Sequence, residues 1–307
     1  MKLLPHQLPP SQVPFGASIA DLESVARNLR YQAIQMSHQA GTPHLGSVLS
    51  CIDIVVAAYW RVLRVDPTRP SAPTRDRFIL SKGHAAPALY AALAARGFFP
   101  DSWLDTFGQH RADLAEQPAP NCAAGVELAT GSLGHGLPVG AGFALSARIQ
   151  HLNYRTLVVM SDGECNEGSV WEAAMFAAGK QLGRLDVVID YNKWQATGRS
   201  DEVLALASLS DKWRAFGWEA VEIDGHDIGA ITRELTRETS DVGRPKAIIA
   251  HTVKGKGVPF MEDDNNWHYR VPTAAEVTSA AAFLLATAPL PAACAAEAET
   301  LAGTHAS

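Results

Sequence analysis

Asp162, in Ser161-Asp162-Gly163-Glu164, and Asn192, in Asp190-Tyr191-Asn192-Lys193-Trp194, stand thirty positions apart with a single strand-helix-strand pattern between them. A small hard cation such as Mg²⁺ takes oxygen ligands in octahedral geometry and leaves places for phosphate oxygens and water. The Asp162 carboxylate, the Asn192 amide oxygen and the backbone carbonyl of Trp194 meet that need, for Mg²⁺ or for Ca²⁺ or Mn²⁺ in its place. Gly163 and Gly168 let the intervening turn tighten and its backbone approach phosphate oxygens. Either residue alone is an ordinary strand-end acid or turn amide. Paired at this spacing within one βαβ unit, they point to a diphosphate-metal site.

Histidines supply a second set of reactive groups. His44, His84, His135 and His226 each sit in a loop flanked by glycine, His251 opens the run His251-Thr252-Val253-Lys254-Gly255-Lys256-Gly257, and His268 follows Trp267. A lone loop histidine is commonly a structural residue. Three of these, however, follow predicted strands or precede predicted helices on the edge that also carries Asp162. Imidazoles there can bind diphosphate and substrate hydroxyls and move protons near neutral pH. The Lys254-Gly-Lys256-Gly turn could meet anions or be a solvated basic turn. Cys165 lies inside the Asp162 motif, but no nucleophile-activating signature accompanies it.

These groups need a scaffold that presents strand ends. Leu157 to Met160 reads as a buried parallel strand with Asp162 just past its carboxyl end, where ligands of open α/β sheets bind. Trp171, Ala174, Met175, Ala178 and Leu182 recur at helical spacing, and Leu185 to Asp190 forms the next strand. Elsewhere the pattern predicts helices over 21–39, 50–60, 85–96, 131–142, 210–216 and 228–238, and strands over 78–80, 218–223 and 246–250. Strands alternating with helices mean an α/β fold, doubly wound, with a mostly parallel sheet and helices on both faces. The Pro-rich stretch 1–17 reads as an N-terminal arm, 18–272 as the module itself and 273–307 as an Ala-rich, weakly helical tail. The irregular stretch 108–124 is long enough to be functional or mobile.

With 307 residues and 47% hydrophobic content, the chain can bury a full core. A net charge of −6 without Lys/Arg runs argues against nucleic acid or an anionic membrane as partner. No apolar stretch approaches a membrane span or a signal-peptide core, and the four cysteines form neither a CxxC pair nor a zinc spacing. These features predict a cytoplasmic protein with reduced thiols.

Across residues 20–272 the chain resembles the N-terminal subunit of a split, two-chain transketolase, a thiamine diphosphate-dependent enzyme. The resemblance is carried by the His44 loop, Asp76 to His84, Gly125-Val126-Glu127, Thr130 to Gly134, the Asp162 unit and His251 to Gly257. It implies that Asp162, Asn192 and the Trp194 carbonyl hold the metal. His84, Gly131, Leu133, Gly163, Glu164, Asn192 and His268 would contact thiamine diphosphate. His44, His84, His268 and Glu167 would act in catalysis, with Glu167 and Glu172 at a subunit interface. The resemblance further implies sugar or sugar-phosphate substrates and a heterotetramer. The glutamate that activates the cofactor belongs to a pyrimidine-binding module absent from this sequence, so a separate partner chain is expected to supply it.

Three positions depart from the family pattern. Ser161 replaces a glycine before Asp162. Gln117-Pro118 stands where His-Pro is usual, exchanging an imidazole for an amide that cannot carry charge. Tyr269 follows His268 where a small residue is common, which narrows the expected pocket. The sequence therefore predicts transfer of a two-carbon ketol group from a ketose to an aldehyde. Its alternatives are ketol or acyl transfer to an unphosphorylated or unusual acceptor, and a non-catalytic cofactor-binding module.

Overall fold

The computed structural model describes residues 9–285 except 120, 240 and 242. A buried stripe through Leu22, Val25, Leu29, Ala33 and Ile34 makes α1 (Ile19–Ala40) amphipathic, and the Ser18 hydroxyl caps it by accepting the Asp21 N–H at 3.2 Å. There follow α2 (Leu45–Ser50), α3 (Ile52–Ala57), β1 (Arg77–Leu80), α4 (Ala86–Ala95), α5 (Gly136–Ile149), β2 (Thr156–Ser161), α6 (Gly168–Gly179) and β3 (Leu185–Tyr191). The chain continues with α7 (Ser200–Val203), α8 (Leu209–Ala215), β4 (Glu219–Asp224), α9 (Ile228–Thr236), β5 (Lys246–His251) and α10 (Ala274–Leu285).

All five strands pair in parallel in the order β1-β2-β3-β5-β4. Alternate strand residues feed two cores. Leu157, Val159, Val188 and Ile248 pack with α1, α3, α4 and α9, whereas Val158, Met160, Val187 and Ile249 pack with α5, α6 and α8. The predicted doubly wound sheet is therefore what forms. The central strands are buried on both faces, as parallel strands between helical layers must be.

Three expectations about elements need correction. The helix predicted over 50–60 is two helices broken at Cys51 and ending in a wide turn, Ala58–Val62; its first half was hidden because α2 starts from His44 with no capping side chain. The helix predicted from Gly131 begins only at Gly136, where a methyl group would lie 2.4 Å from Ser81 Cβ, so the bare backbone lets the helix close on β1. The stretch from Thr273, expected as a tail, continues as α10, which packs on α1 and buries Ala280 and Leu284; residues 286–307 lie outside the described residues. At the other terminus, the described part of the arm is pinned: Trp60 Nε1 donates to the Val13 carbonyl at 3.1 Å.

Candidate active site

The carboxyl ends of β2 and β3 lie side by side because Ser161 pairs with Asp190 in register. That pairing sets Asp162 beside the loop that opens with Asn192. Asp162 is fully buried and accepts only neutral donors: Gly163 N–H at 2.9 Å, Lys193 N–H at 3.0 Å and the Ser200 hydroxyl at 2.7 Å. Burial pushes its carboxyl up to about 6, the nearby Asp190 charge adding to the effect, although the Ser200 hydroxyl opposes it. Asn192 turns its amide nitrogen toward Ser50 and Asp190 and its oxygen toward the Trp194 N–H at 3.1 Å. The loop carrying Trp194 is held shut by Asp263, which accepts from Trp194 Nε1 at 2.8 Å and from both terminal nitrogens of Arg199 at 2.7 Å, while the Arg199 guanidinium lies 3.8 Å from the Trp194 ring centre.

Three imidazoles converge on one another from separate turns. His44 begins α2, His84 sits on the turn Gly83–Ala85 after β1, and His268 ends the turn Asn265–His268. Their ring centres are 5.4 Å (His44 to His84), 5.1 Å (His44 to His268) and 6.2 Å (His84 to His268) apart. His44 occupies the left-handed region at φ 72°, an uncommon conformation for a side-chain-bearing residue and a kind of strain that gathers at functional sites. Burial, then the charge of Lys254, holds His268 down at about 3; burial also lowers His84, with Lys82 next in effect, and lowers His44. All three rings are therefore neutral at neutral pH. Tyr269, 66% exposed, stands at the mouth with its ring edge-on to His268 at 4.7 Å and to His44 at 6.0 Å.

Buried polar bolts fix these walls. Lys82 donates to Asp190 and to the Ser47 carbonyl at 2.8 Å, and Asp190 also accepts from the hydroxyls of Ser50 and Thr252. Glu164, expected among the cofactor contacts, spends its oxygens elsewhere. It accepts from the Ser81 hydroxyl, Gly134 N–H at 3.0 Å and Ser161 N–H at 2.8 Å, tying the Leu133 loop to the ends of β1 and β2. Ser161 contributes its hydroxyl to the same knot, which gives its departure from glycine a local use.

The remaining sequence candidates divide. Leu133 is 38% exposed in the loop preceding α5, and Gly131 beside it faces Gln117: a methyl on Gly131 would stand 2.4 Å from the Gln117 amide oxygen. Glu167, just before α6, and Glu172, on α6, are exposed; Glu167 packs against Gly134 in the Leu133 loop, and Met175 and Phe176 are also exposed on α6. His226 is absorbed by Asp53 and Val253 N–H, His251 by Glu222, and His135 by its own loop. Cys165 is buried with its thiol pushed well up by that burial, so it is no nucleophile. Two further polar groups stand beside these glycines. Gln195, which the sequence did not single out, packs over Gly163, and among the described residues its buried Nε2 has no partner; nor does the buried Thr130 hydroxyl beside Gly83.

Residues 22–285 match the family described as the transketolase thiamine diphosphate binding domain. The chain is 39% identical over 262 residues to one of the apulose-4-phosphate transketolase subunits of Phocaeicola vulgatus, covering 85% of this chain and 93% of that protein. It is 40% identical over 242 residues to a 6-deoxy-6-sulfo-D-fructose transketolase subunit of a Clostridium species, covering 79% of this chain and 88% of that one. In three dimensions it matches the transketolase of Campylobacter jejuni with a TM-score of 0.81 at 26% identity, over 93% of this chain but 46% of that one. With a parallel α/β sheet of this kind and a match over residues 22–285, the chain belongs to the transketolase family, matching its thiamine diphosphate binding domain.

Proposed function

We propose that this chain is the diphosphate-binding subunit of a two-chain transketolase, transferring a two-carbon ketol group from a ketose donor to an aldehyde acceptor. The observation that carries the reading is Asp162: a fully buried carboxylate with no basic side chain in ion-pair contact among the described residues, at the strand end that faces three neutral imidazoles. Such a group is completed by a cation from outside.

The residues present fit that cation and its ligand. The oxygen donors that would suit Mg²⁺ are Asp162, Asn192 and the Trp194 carbonyl, with Ca²⁺ or Mn²⁺ as substitutes. The unpartnered Gln195 amide and Thr130 hydroxyl are donors available to phosphate oxygens. His84, Gly163 and His268 would hold the diphosphate, and Gly131 and Leu133 would support the rest of the cofactor. When bound, thiamine diphosphate supplies the electron sink that ketol transfer requires. This chain binds and orients. Neutral His44 and His268 can each donate one hydrogen bond and accept another, which suits them to position substrate hydroxyls and move protons.

The names of the two relatives, each a transketolase subunit, and their near-complete overlap with this chain support a separate pyrimidine-binding partner. The exposed Met175 and Phe176 on α6 and Ile149 on α5, with Glu167 and Glu172 beside them, support burial of that face in an assembly of two such pairs. A cytoplasmic setting agrees with the free thiols of Cys51, Cys122 and Cys165. Mixing this chain with its pyrimidine-module partner, thiamine diphosphate and Mg²⁺ tests the proposal by ketol transfer to an aldehyde; turnover by this chain alone would overturn it.

Gln117 favours a specialised acceptor, because it reaches the Gly131 loop with an amide where the family pattern has an imidazole. The sugars in the relatives' names, one a phosphate and one a sulfonate, likewise support a dedicated rather than general substrate.

A further inference from the structure

We infer that Lys254 is a positioning residue that fixes His268 in its Nε2–H tautomer, so that the ring offers a hydrogen-bond donor to a bound ligand. Lys254 is fully buried, and its ammonium meets polar side chains of this chain. Its stem runs past the first turn of α2, where a methyl on Gly46 would stand 2.9 Å from Lys254 Cγ; only a bare backbone leaves that passage open. Two backbone bonds hold the passage in place, Gly255 N–H to the Gly46 carbonyl and Asp263 N–H to the Lys254 carbonyl, each at 2.9 Å.

The ammonium then meets two groups. It donates to Asn265 Oδ1 at 2.7 Å and lies 3.0 Å from His268 Nδ1. Asn265 donates from its nitrogen to the Ala196 carbonyl at 3.2 Å, which settles which end of the amide faces Lys254. An ammonium has three donors and no lone pair, so the His268 nitrogen beside it must be the acceptor. The ring proton is left on Nε2. The backbone adds a further restraint, since the His268 carbonyl accepts the His44 N–H at 2.9 Å. One hydrogen-bonded run thus connects the loop of Trp194, through Ala196, Asn265 and Lys254, to the imidazole on the opposite wall. Among the described residues no carboxylate forms an ion pair with Lys254, so no anion competes for the protons that set this order.

What the Nε2–H meets rests on the transketolase reading; the tautomer does not. ¹⁵N NMR of the full-length chain with labelled histidine ring nitrogens at pH 7 decides it, the His268 resonances being assigned by their loss in His268→Asn. The wild-type spectrum should show a protonated Nε2 and an unprotonated Nδ1 at His268. In Lys254→Met the tautomer ratio should move toward Nδ1–H by about tenfold or more, the scale of a hydrogen bond from a charged donor. A dominant Nδ1–H form in wild type overturns the inference even if the variant does not fold. An unchanged ratio in a folded Lys254→Met also overturns it. A wild-type chain with the expected tautomer that yields no ketol transfer with its partner would defeat the functional reading and leave this assignment standing.

Discussion

Asp53 and Asp162 are both buried carboxylates, 5% and 0% exposed, yet the protein treats them in opposite ways. Asp53, on α3, accepts from Arg30 at 3.0 and 2.6 Å and from His226 Nδ1 at 2.7 Å. Burial alone would raise its carboxyl, but Arg30 and then His226 overcome that and hold it at about 2. Asp162 receives neutral donors only, and burial raises it to about 6. A carboxylate with an internal cation is a finished structural element, whereas one without, on the proposed function, is completed by the bound metal. Lys82 and Asp190 repeat the finished arrangement directly beneath the site, each driven toward its charged form against burial by the other.

Removing the cation from the finished cluster should have the largest effect. Arg30→Met leaves the buried Asp53 with only its His226 contact and is expected to cost about 3–5 kcal/mol in a urea unfolding titration. Asp162→Asn should instead leave the metal-free chain at least as stable as wild type at pH 7 while abolishing the stabilisation that Mg²⁺ with thiamine diphosphate confers; a cation-dependent rise in Tm that survives the substitution would contradict the ligand assignment.

The two carboxylates also predict opposite pH dependence, each worth roughly 2–3 kcal/mol for a shift of about two pKa units. Asp53 has a folded pKa below its unfolded value, so its contribution is complete above about 4 and disappears as pH falls through about 2. Asp162 has a folded pKa above its unfolded value, so its contribution is present below about 4 and is lost as pH rises through about 6. Stability of wild type relative to Asp162→Asn should therefore fall between about pH 4 and 7, and a pH series of urea midpoints on the metal-free chains checks it. Ser200→Ala removes one donor to Asp162 and should weaken metal-dependent cofactor binding by about 1 kcal/mol in calorimetry. The smallest effect is one of selectivity: Gln117→His in the assembled enzyme should raise kcat/KM for phosphorylated relative to unphosphorylated acceptors, and an unchanged ratio would remove Gln117 as a determinant.

The placing of Asp162 and Asn192 at neighbouring strand ends was legible because the pairing of two adjacent parallel strands is local, so spacing in sequence is spacing in space. The histidines were only half legible. His44 and His226 carry the same glycine-flanked loop signature, and what separates them is the surroundings each meets after folding: His226 has Asp53 from α3, while the ring of His44 meets His84, His268 and Tyr269 and, among the described residues, forms no ion pair with an acid. Lys82 and Asp190 are 108 residues apart, and Lys254 reaches its site through a gap at Gly46, so although all three stand in runs that the sequence singles out, what each one meets carried no sequence signal. The partners of Glu164 were hidden for a related reason. Its place in the motif is visible in the sequence, but the direction of its carboxylate depends on Ser81 and Gly134.

The helix α10 sets a boundary for anyone who cuts or fuses this chain. Leu284 closes over Gly257 in the loop that begins at Lys254, and the stem of Arg30 meets the same glycine from α1. A truncation at residue 272, where a reading of the motifs alone would place it, would strip the outer wall from the passage that carries Lys254 and from the Arg30 side of the finished cluster. A shortened version of the protein should keep α10 intact through Leu285, and a fused partner or affinity tag belongs beyond it.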